Sequence, residues 1–598
     1  MSSLIGNKTE DLLSDFTQDR RIITLSLIAI VIGAVSAVVA YVLVWLIAVI
    51  TNLAFFQQYS SVFQSPLHHH LGYLVISIPV LGGLIVGIMA RYGSEKIRGH
   101  GIPEALESIL FGSSRMEPRV AILKPLSSAI AIGTGGPFGA EGPIIVTGGA
   151  FGSLFAQLFH LSSAERKTLL VAGAAGGMAA IFATPVAAVL LAVELLLFEW
   201  KPRSLIPVAL SSAVAASLRV PLMGNGPIFP VPIHSFLNGE GLVIAFLVGT
   251  VAGLLAGLLT VTVYGVEDLF ERLPIHWMWW PAIGGLVVGI GGLIEPRVLG
   301  VGYDTIHQLL RGEIIGAVLL SILIGKFIVW SIALGSGTSG GILAPLLMMG
   351  GALGAFLAPY IPVGDTGLWA TIGMTSVMAG AMGSPLTGLI FALELTHDIN
   401  LLPALLLGSI AAHATTVFLT RRSILTKKVT RRGFHISREY SVDPLANMRV
   451  AEVMDVKPPV VHSTMEIDDL FHKISQRDPI LSRRQATLIT DDNGKLAGII
   501  TRKDLLQAIE EKATGQTTVL DAGTENPIVA FPDELMLEAV RKMAQNDIGR
   551  LPVVSRSDPK QIVGYLGRSS ILAARQKHIE AEEFREHGLN SKKVRTAS

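Results

Sequence analysis

Gly133-Thr134-Gly135-Gly136-Pro137-Phe138-Gly139-Ala140-Glu141-Gly142-Pro143 decides how the rest of the chain reads. It holds five glycines, two prolines and one carboxylate, and opens into the apolar run Ile144-Ile145-Val146-Thr147-Gly148. Glycine lets a backbone bend sharply and approach other atoms closely. Pro143 suits the first position of a helix, where its missing N–H has no partner to lose. Glu141 is then expected just before a helix N-terminus, where free N–H groups and the macrodipole favour negative charge. The stretch therefore predicts one spot contested by Glu141 and a diffusible anion.

The surroundings of this stretch are those of a membrane protein. Of 598 residues, 50% are hydrophobic and 16% charged, against about 25% charged in soluble domains. No Lys, Arg, Asp or Glu occurs from Ile22 to Ala90, whereas charges are dense from Arg421 onward. A net charge of +1 argues against nucleic acid as a partner. The absence of cysteine excludes disulfides, thiolate catalysis and cysteine metal sites. Met1 to Arg21 is polar and charged, so no cleavable signal peptide is expected there.

Ile22–Ile50 and Leu71–Ala90 are long enough to cross about 30 Å of hydrocarbon. His68-His69-His70 lies between them and reads as an interfacial loop, since three adjacent residues converge poorly on one ion. No metal site is expected. Later apolar runs are shorter and broken by Gly or Pro: Val120–Ile132, Ile144–Phe159, Thr168–Phe182, Val186–Phe198 and Leu205–Leu218. After them come Leu242–Val266, Trp277–Ile294, Ile314–Leu334, Ile342–Ile361, Leu368–Met382, Leu386–Leu395 and Leu401–Leu419. Broken helices at membrane depth are tolerated where they line a protein-enclosed cavity. When they recur in two halves they point to a transport site.

The halves do recur. Glu141-Gly142-Pro143 with Gly148-Gly149-Ala150 answers to Leu343-Ala344-Pro345 with Gly350-Gly351-Ala352. Pro185 with Glu194-Leu195 answers to Pro385 with Glu394-Leu395, at an offset of roughly 200 residues throughout. Residues 1–20 read as a solvated tail or short amphipathic helix. Residues 21–433 form the membrane core, in two repeats of about 21–220 and 241–420. Arg421, Arg422, Lys427, Lys428, Arg431 and Arg432 follow the last apolar run, which predicts a cytoplasmic C-terminal part. After a linker at 434–447, residues 448–510 and 517–580 form a second repeat of strand, helix, two strands and helix, followed by a charged tail at 581–598. The turn Asp491-Asp492-Asn493-Gly494 divides the first unit's strands, Ala486–Thr490 and Leu496–Ile500.

Three motifs carry a family resemblance. Gly139-Ala140-Glu141-Gly142-Pro143 resembles the GREGP motif of CLC chloride channels and transporters, Gly99-His100-Gly101-Ile102-Pro103 their GSGIP motif, and Gly340-Gly341-Ile342-Leu343-Ala344-Pro345 their GIFAP motif. Order and spacing agree over about residues 20–433, and the C-terminal repeat resembles a pair of CBS domains. The resemblance implies an α-helical, multi-span core of broken, tilted helices in inverted repeats, followed by a cytosolic α/β CBS pair. It implies a homodimer with one pore per subunit. It further implies a transporter rather than an enzyme, with no required cofactor, in the cell membrane with both termini cytoplasmic, in a prokaryotic inner or plasma membrane.

The resemblance assigns gating to Glu141 and an electrostatic role to Lys124. It assigns anion contacts to His100, Gly101, Ile102, Gly142, Ile342, Leu343 and the position of Leu425. Three positions depart from the family pattern. His100 replaces the serine, and either donates an N–H to the anion or caps the helix. Leu425, aligned through Ser423-Ile424-Leu425-Thr426, replaces the pore tyrosine. Leu195 replaces the second glutamate of a pair, leaving Glu194, with Glu199 one turn on, as candidates for a proton relay. These losses favour passive conduction, with proton-coupled exchange through an atypical relay as the alternative. Thr501 and Asp504 resemble the family's nucleotide-binding element, which implies an adenine nucleotide as a regulator.

Overall fold

The structure, a computed structural model, describes residues 21–112, 114–159, 161–420, 422–431, 448–482, 484–510, 517–573 and 576. The tail at 1–20, the linker at 434–447, Arg421 and Arg432 of the basic cluster, and the charged tail at 581–598 lie outside the described residues. The chain divides into two compact units at residues 433 and 434.

The first unit is helical. Its first half runs α1 (Arg21–Thr51), α2 (Ser77–Tyr92), α3 (Ile102–Leu110), α4 (Pro118–Gly133), α5 (Glu141–Gln157), α6 (Ser163–Phe182), α7 (Pro185–Leu191) and α8 (Pro202–Met223). The second half runs α9 (Gly239–Glu271), α10 (Trp280–Ile294), α11 (Tyr303–Leu310), α12 (Ala317–Gly335), α13 (Leu343–Leu357), α14 (Thr366–Met382), α15 (Pro385–Thr396), α16 (Leu402–Thr420) and α17 (Ile424–Arg431). Among the described residues, eight helices are long and apolar enough to cross a membrane, and Pro185–Leu197 and Pro385–Thr396 are shorter apolar helices. Prolines open α4, α7, α8 and α15 in the first turn, where no intrahelical hydrogen bond is lost.

α7 and α15 show how the halves are related. The Glu194 carboxylate, in the helical stretch that continues α7 to Leu197, accepts from Leu386 N at 3.3 Å and Thr387 N at 2.8 Å at the start of α15. The Glu394 carboxylate, near the end of α15, accepts from Val186 N at 2.9 Å and Ala187 N at 2.8 Å at the start of α7. Two corresponding helices whose ends cap each other's beginnings run antiparallel. The repeats are therefore inverted, which the roughly 200-residue offset alone does not reveal. Three helices were not separate apolar runs in the sequence: α3, α11 and α17 are short and amphipathic, so their faces are split between core and polar surroundings.

The second unit is α/β. β1 (Val460–His462), α18 (Ile467–Ser475), β2 (Ala486–Thr490), β3 (Leu496–Thr501) and α19 (Arg502–Glu510) form its first half. α20 (Val519–Ala522), β4 (Thr524–Glu525), α21 (Met536–Gln545), β5 (Arg550–Val554) and β6 (Ile562–Gly567) follow, and residues 568–573 are helical. The sheet order is β1-β2-β3-β4, with β1 parallel to β2 and the other pairs antiparallel, while β5 and β6 form an antiparallel pair. The opening strand expected in the second half is reduced to a single bridge, Ala530 to Val553. Each half has its own core, and Leu488, Leu496 and Ile499 join Val554 and Tyr565 in a cluster shared by both.

Candidate functional site

Glu141 is fully buried and is the first residue of α5, not the residue before it. Pro143 is correspondingly the third helical residue, still inside the turn whose N–H groups need no helical partner. The carboxylate reaches out of its own helix to the other half. Its Oε1 accepts hydrogen bonds from Leu343 N and, at 3.2 Å, from Ala344 N at the start of α13. The carboxylate thus occupies the anion-attracting end of a helix from the opposite repeat.

The two mouths are stitched together beneath it. Gly139 N donates to Gly341 O at 3.2 Å and Gly341 N to Gly139 O at 2.8 Å, an antiparallel bridge between repeats. A Cβ on either glycine would collide with the Glu141 carboxyl group. Both residues must lack a side chain for the carboxylate to fold back into this seat. The third mouth closes in from α3, because a Cβ on Gly142 would strike the His100 carbonyl oxygen. His100 is buried there. The structure thus brings His100, Gly101, Glu141, Gly142, Gly341 and Leu343 to one place. Ile102 is buried as the first residue of α3, and Ile342 as the residue before α13.

Lys124 is fully buried in α4, and its ammonium donates to Ile97 O and Gly99 O, both at 2.8 Å. It fixes the turn that leads into His100-Gly101. The Gly101 N–H donates to Glu104 Oε2 at 3.0 Å, and the other oxygen of Glu104 pairs with Lys428 of α17 at 2.9 Å. Leu425 is buried on α17, which packs against α3.

The second half repeats the lysine device, unnoticed in the sequence. Lys326, fully buried in α12, donates to Val298 O at 3.0 Å and Gly300 O at 2.9 Å. A charged residue alone inside the apolar run Ile314–Leu334 was the available signal.

The proposed relay residues have other partners. Glu194 is held by the start of α15, including a 2.6 Å hydrogen bond from Thr387 Oγ1. Glu199 accepts from Ser204 Oγ at 3.0 Å and lies 3.6 Å from both Lys201 and Arg203. Burial pushes its carboxyl up, but Lys167, Arg203, Lys201 and Ser204 together hold it below the ordinary carboxylate range.

In the α/β unit, Thr501 N donates to Asp504 Oδ2 at 2.8 Å, and Asp504 N donates to Thr501 Oγ1 at 3.3 Å. This reciprocal pair caps α19. Thr501 also borders a cleft of about 570 Å³ between the two halves, with Arg502, Lys503, Gln485, Gln507 and Arg550 around it. Arg550 donates to Gln485 Oε1 at 2.6 Å across the cleft.

Comparison with known proteins agrees with this geometry. Residues 82–417 match the model of the voltage gated chloride channel family, and residues 450–511 and 519–577 each match the CBS domain model. A Voltage-gated ClC-type chloride channel ClcB of Escherichia coli O81 is 30% identical over 357 residues, covering 58% of this chain and 84% of the relative. The H(+)/Cl(-) exchange transporter ClcA of Klebsiella pneumoniae is 30% identical over 365 residues, covering 58% and 76%. Among solved structures, a slow cyanobacterial Cl-/H+ antiporter superposes with a TM-score of 0.61 at 21% identity, over 69% of this chain and 98% of that one. A eukaryotic CLC transporter gives 0.59 at 19% identity, over 91% and 97%. The inverted repeats, the three converging helix mouths and the family match together make this chain a member of the CLC family of voltage gated chloride channels and transporters, carrying a C-terminal pair of CBS domains.

Proposed function

We propose that this protein passes chloride across a membrane along a path closed by the Glu141 carboxylate. The observation that carries the proposal is the carboxylate's seat on Leu343 N and Ala344 N. A carboxylate and a halide both satisfy a pair of backbone donors, so each excludes the other. Partial charges on helix ends bind an anion firmly enough to attract it and weakly enough to release it. Protonation removes the charge that holds Glu141 there and frees the seat. Chloride is the anion because the relatives named above are chloride proteins.

Passive or loosely coupled conduction is the better-supported mode. Leu195 and Leu425 carry no titratable or donor group. Glu194 is spent on α15, and the cations around Glu199 keep it ionised rather than alternating. The named exchanger among the relatives supports the second reading, proton-coupled exchange. A reversal-potential measurement on purified protein in liposomes separates them. Under a pH gradient at fixed chloride, conduction leaves the reversal potential at the chloride value, and a displacement toward a fixed proton stoichiometry contradicts it.

The same reading places the protein in a cell membrane as a homodimer. Arg422, Lys427, Lys428 and Arg431 mark the cytoplasmic end. The basic cleft at Arg502, Lys503 and Arg550 has the charge to take the phosphates of an adenine nucleotide, which then regulates flux.

A further inference from the structure

Two polar atoms near the gate are buried and have no hydrogen-bond partner among the described residues. One is Glu141 Oε2 and the other is the Tyr303 hydroxyl. Unmet buried polar groups are uncommon because each costs about 1–3 kcal/mol. Here one is an acceptor and the other both a donor and an acceptor. The turn before Tyr303 packs on the helix that seats Glu141, since a Cβ on Gly302 would strike the Met348 side chain of α13.

Tyr303 is placed for such a role by the second repeat. It is the first residue of α11, after Gly302 in a left-handed conformation with φ of 77°. The preceding turn is pinned by Lys326, as Lys124 pins the turn before α3. Tyr303 therefore corresponds to Ile102, and it puts a hydroxyl where the first half has only a methyl group. Its ring is held nearly edge-on by Phe182 at 6.5 Å and Phe229 at 5.7 Å. These contacts hold the ring and leave its oxygen unengaged.

We propose that Tyr303 is a positioning residue of the gate: its hydroxyl receives the Glu141 carboxylate when that group leaves the Leu343 and Ala344 amides. This rests on the reading of Glu141 as the gate. The Tyr303 hydroxyl gives the ionised, displaced carboxylate a donor inside the protein, so the path opens for part of the time without protonation. It supplies from α11 a hydroxyl near the gate in a chain whose Leu425 has none.

Other titratable groups near this pair have their own engagements. Glu104 and Lys428 pair with each other, and Lys124 and Lys326 are committed to backbone carbonyls. α1 and α6 carry their charges at the ends remote from Glu141, where Arg21 pairs with Glu165. α13 and α14, packed on α11, have no charged residue, and α11 itself adds the half-exposed or exposed Asp304 and His307, the latter 3.1 Å from Pro230 O. His100 is the remaining imidazole nearby, and it is unchanged in the test.

The test is chloride efflux from liposomes carrying the full chain, with Tyr303→Phe, Glu141→Gln and the double variant. Tyr303→Phe keeps the ring packing and deletes only the oxygen. At about pH 8, efflux through Tyr303→Phe is expected to fall roughly tenfold, the loss of one hydrogen bond to a charged group. At about pH 4.5, where Glu141 is freed by protonation, it is expected to stay within about twofold of the parent. In the Glu141→Gln background the Tyr303 substitution is expected to change nothing. An equal loss at both pH values, a loss that persists beside Glu141→Gln, or no loss at about pH 8 overturns the role of Tyr303. The single Glu141→Gln variant separates this from failure of the gate itself: if its efflux still follows pH as the parent's does, Glu141 is not the gate.

Discussion

Glu141 is confined by its neighbours more than by its own helix. The carboxylate lies against Gly139 and Gly341, and at Gly139 the three nearest neighbours of an added Cβ all belong to the Glu141 carboxyl group. Gly139→Ala should therefore expel the flexible carboxylate and leave the backbone in place, because only the far end of a side chain has to move. Chloride efflux at neutral pH is expected to rise toward that of Glu141→Gln, and efflux equal to the parent's contradicts the packing argument. Glu199 makes the opposite case. Its cluster with Lys167, Lys201 and Arg203 keeps it charged, so Glu199→Gln is expected to leave the reversal potential under a pH gradient unchanged. A shift of that potential would put Glu199 back on a proton route. Leu343 could be named from the sequence because its motif opens a helix, and its N–H donates to the Glu141 carboxylate. Ala344, which shares the Glu141 carboxylate, was not singled out, because which amides converge depends on how the second repeat is turned toward the first.

At the scale of elements, the two halves lean on matched devices. Lys124 and Lys326 each satisfy two carbonyls in the turn before a short helix, and Glu194 and Glu394 each cap the other half's apolar helix. A carboxylate on two helix N-terminal amides combines charge-assisted hydrogen bonds with the macrodipole. Glu394→Gln is expected to cost about 1–2 kcal/mol. A lower unfolding temperature in detergent, with the pH profile of efflux unchanged, is the expected result, and an altered pH profile instead would give Glu394 a part in gating. The long helices and the Gly/Pro breaks could be read from composition, since lipid demands continuous apolar runs and breaks stand out against them. The short helices α3, α11 and α17 could not, because their pattern mixes core and polar positions. The glutamate pair at Glu194 and Glu394 was visible as a repeat, but its capping role needs the antiparallel meeting of α7 and α15. A position of roughly 200 residues' separation says nothing about direction.

At the scale of the molecule, a helical membrane unit and a compact α/β unit share one chain. The CBS repeat was legible from its strand and turn pattern, and its cleft was not, since Arg550 and Gln485 meet only when the two halves pack together. Thr501 borders that cleft, whereas Asp504 is engaged in capping α19. Adenosine triphosphate is expected to raise the unfolding temperature of the full chain, and Arg550→Ala together with Arg502→Ala to reduce that rise. A rise that survives both substitutions places the nucleotide elsewhere. The proposed gate is an exchange of the Glu141 carboxylate for chloride at the seat formed by Leu343 N and Ala344 N. It is tested most directly by chloride efflux from liposomes between about pH 4.5 and 8, comparing the parent with Glu141→Gln. Efflux through the parent is expected to rise as pH falls, while Glu141→Gln conducts at a high rate that does not follow pH. A Glu141→Gln protein with the parent's pH dependence would contradict it.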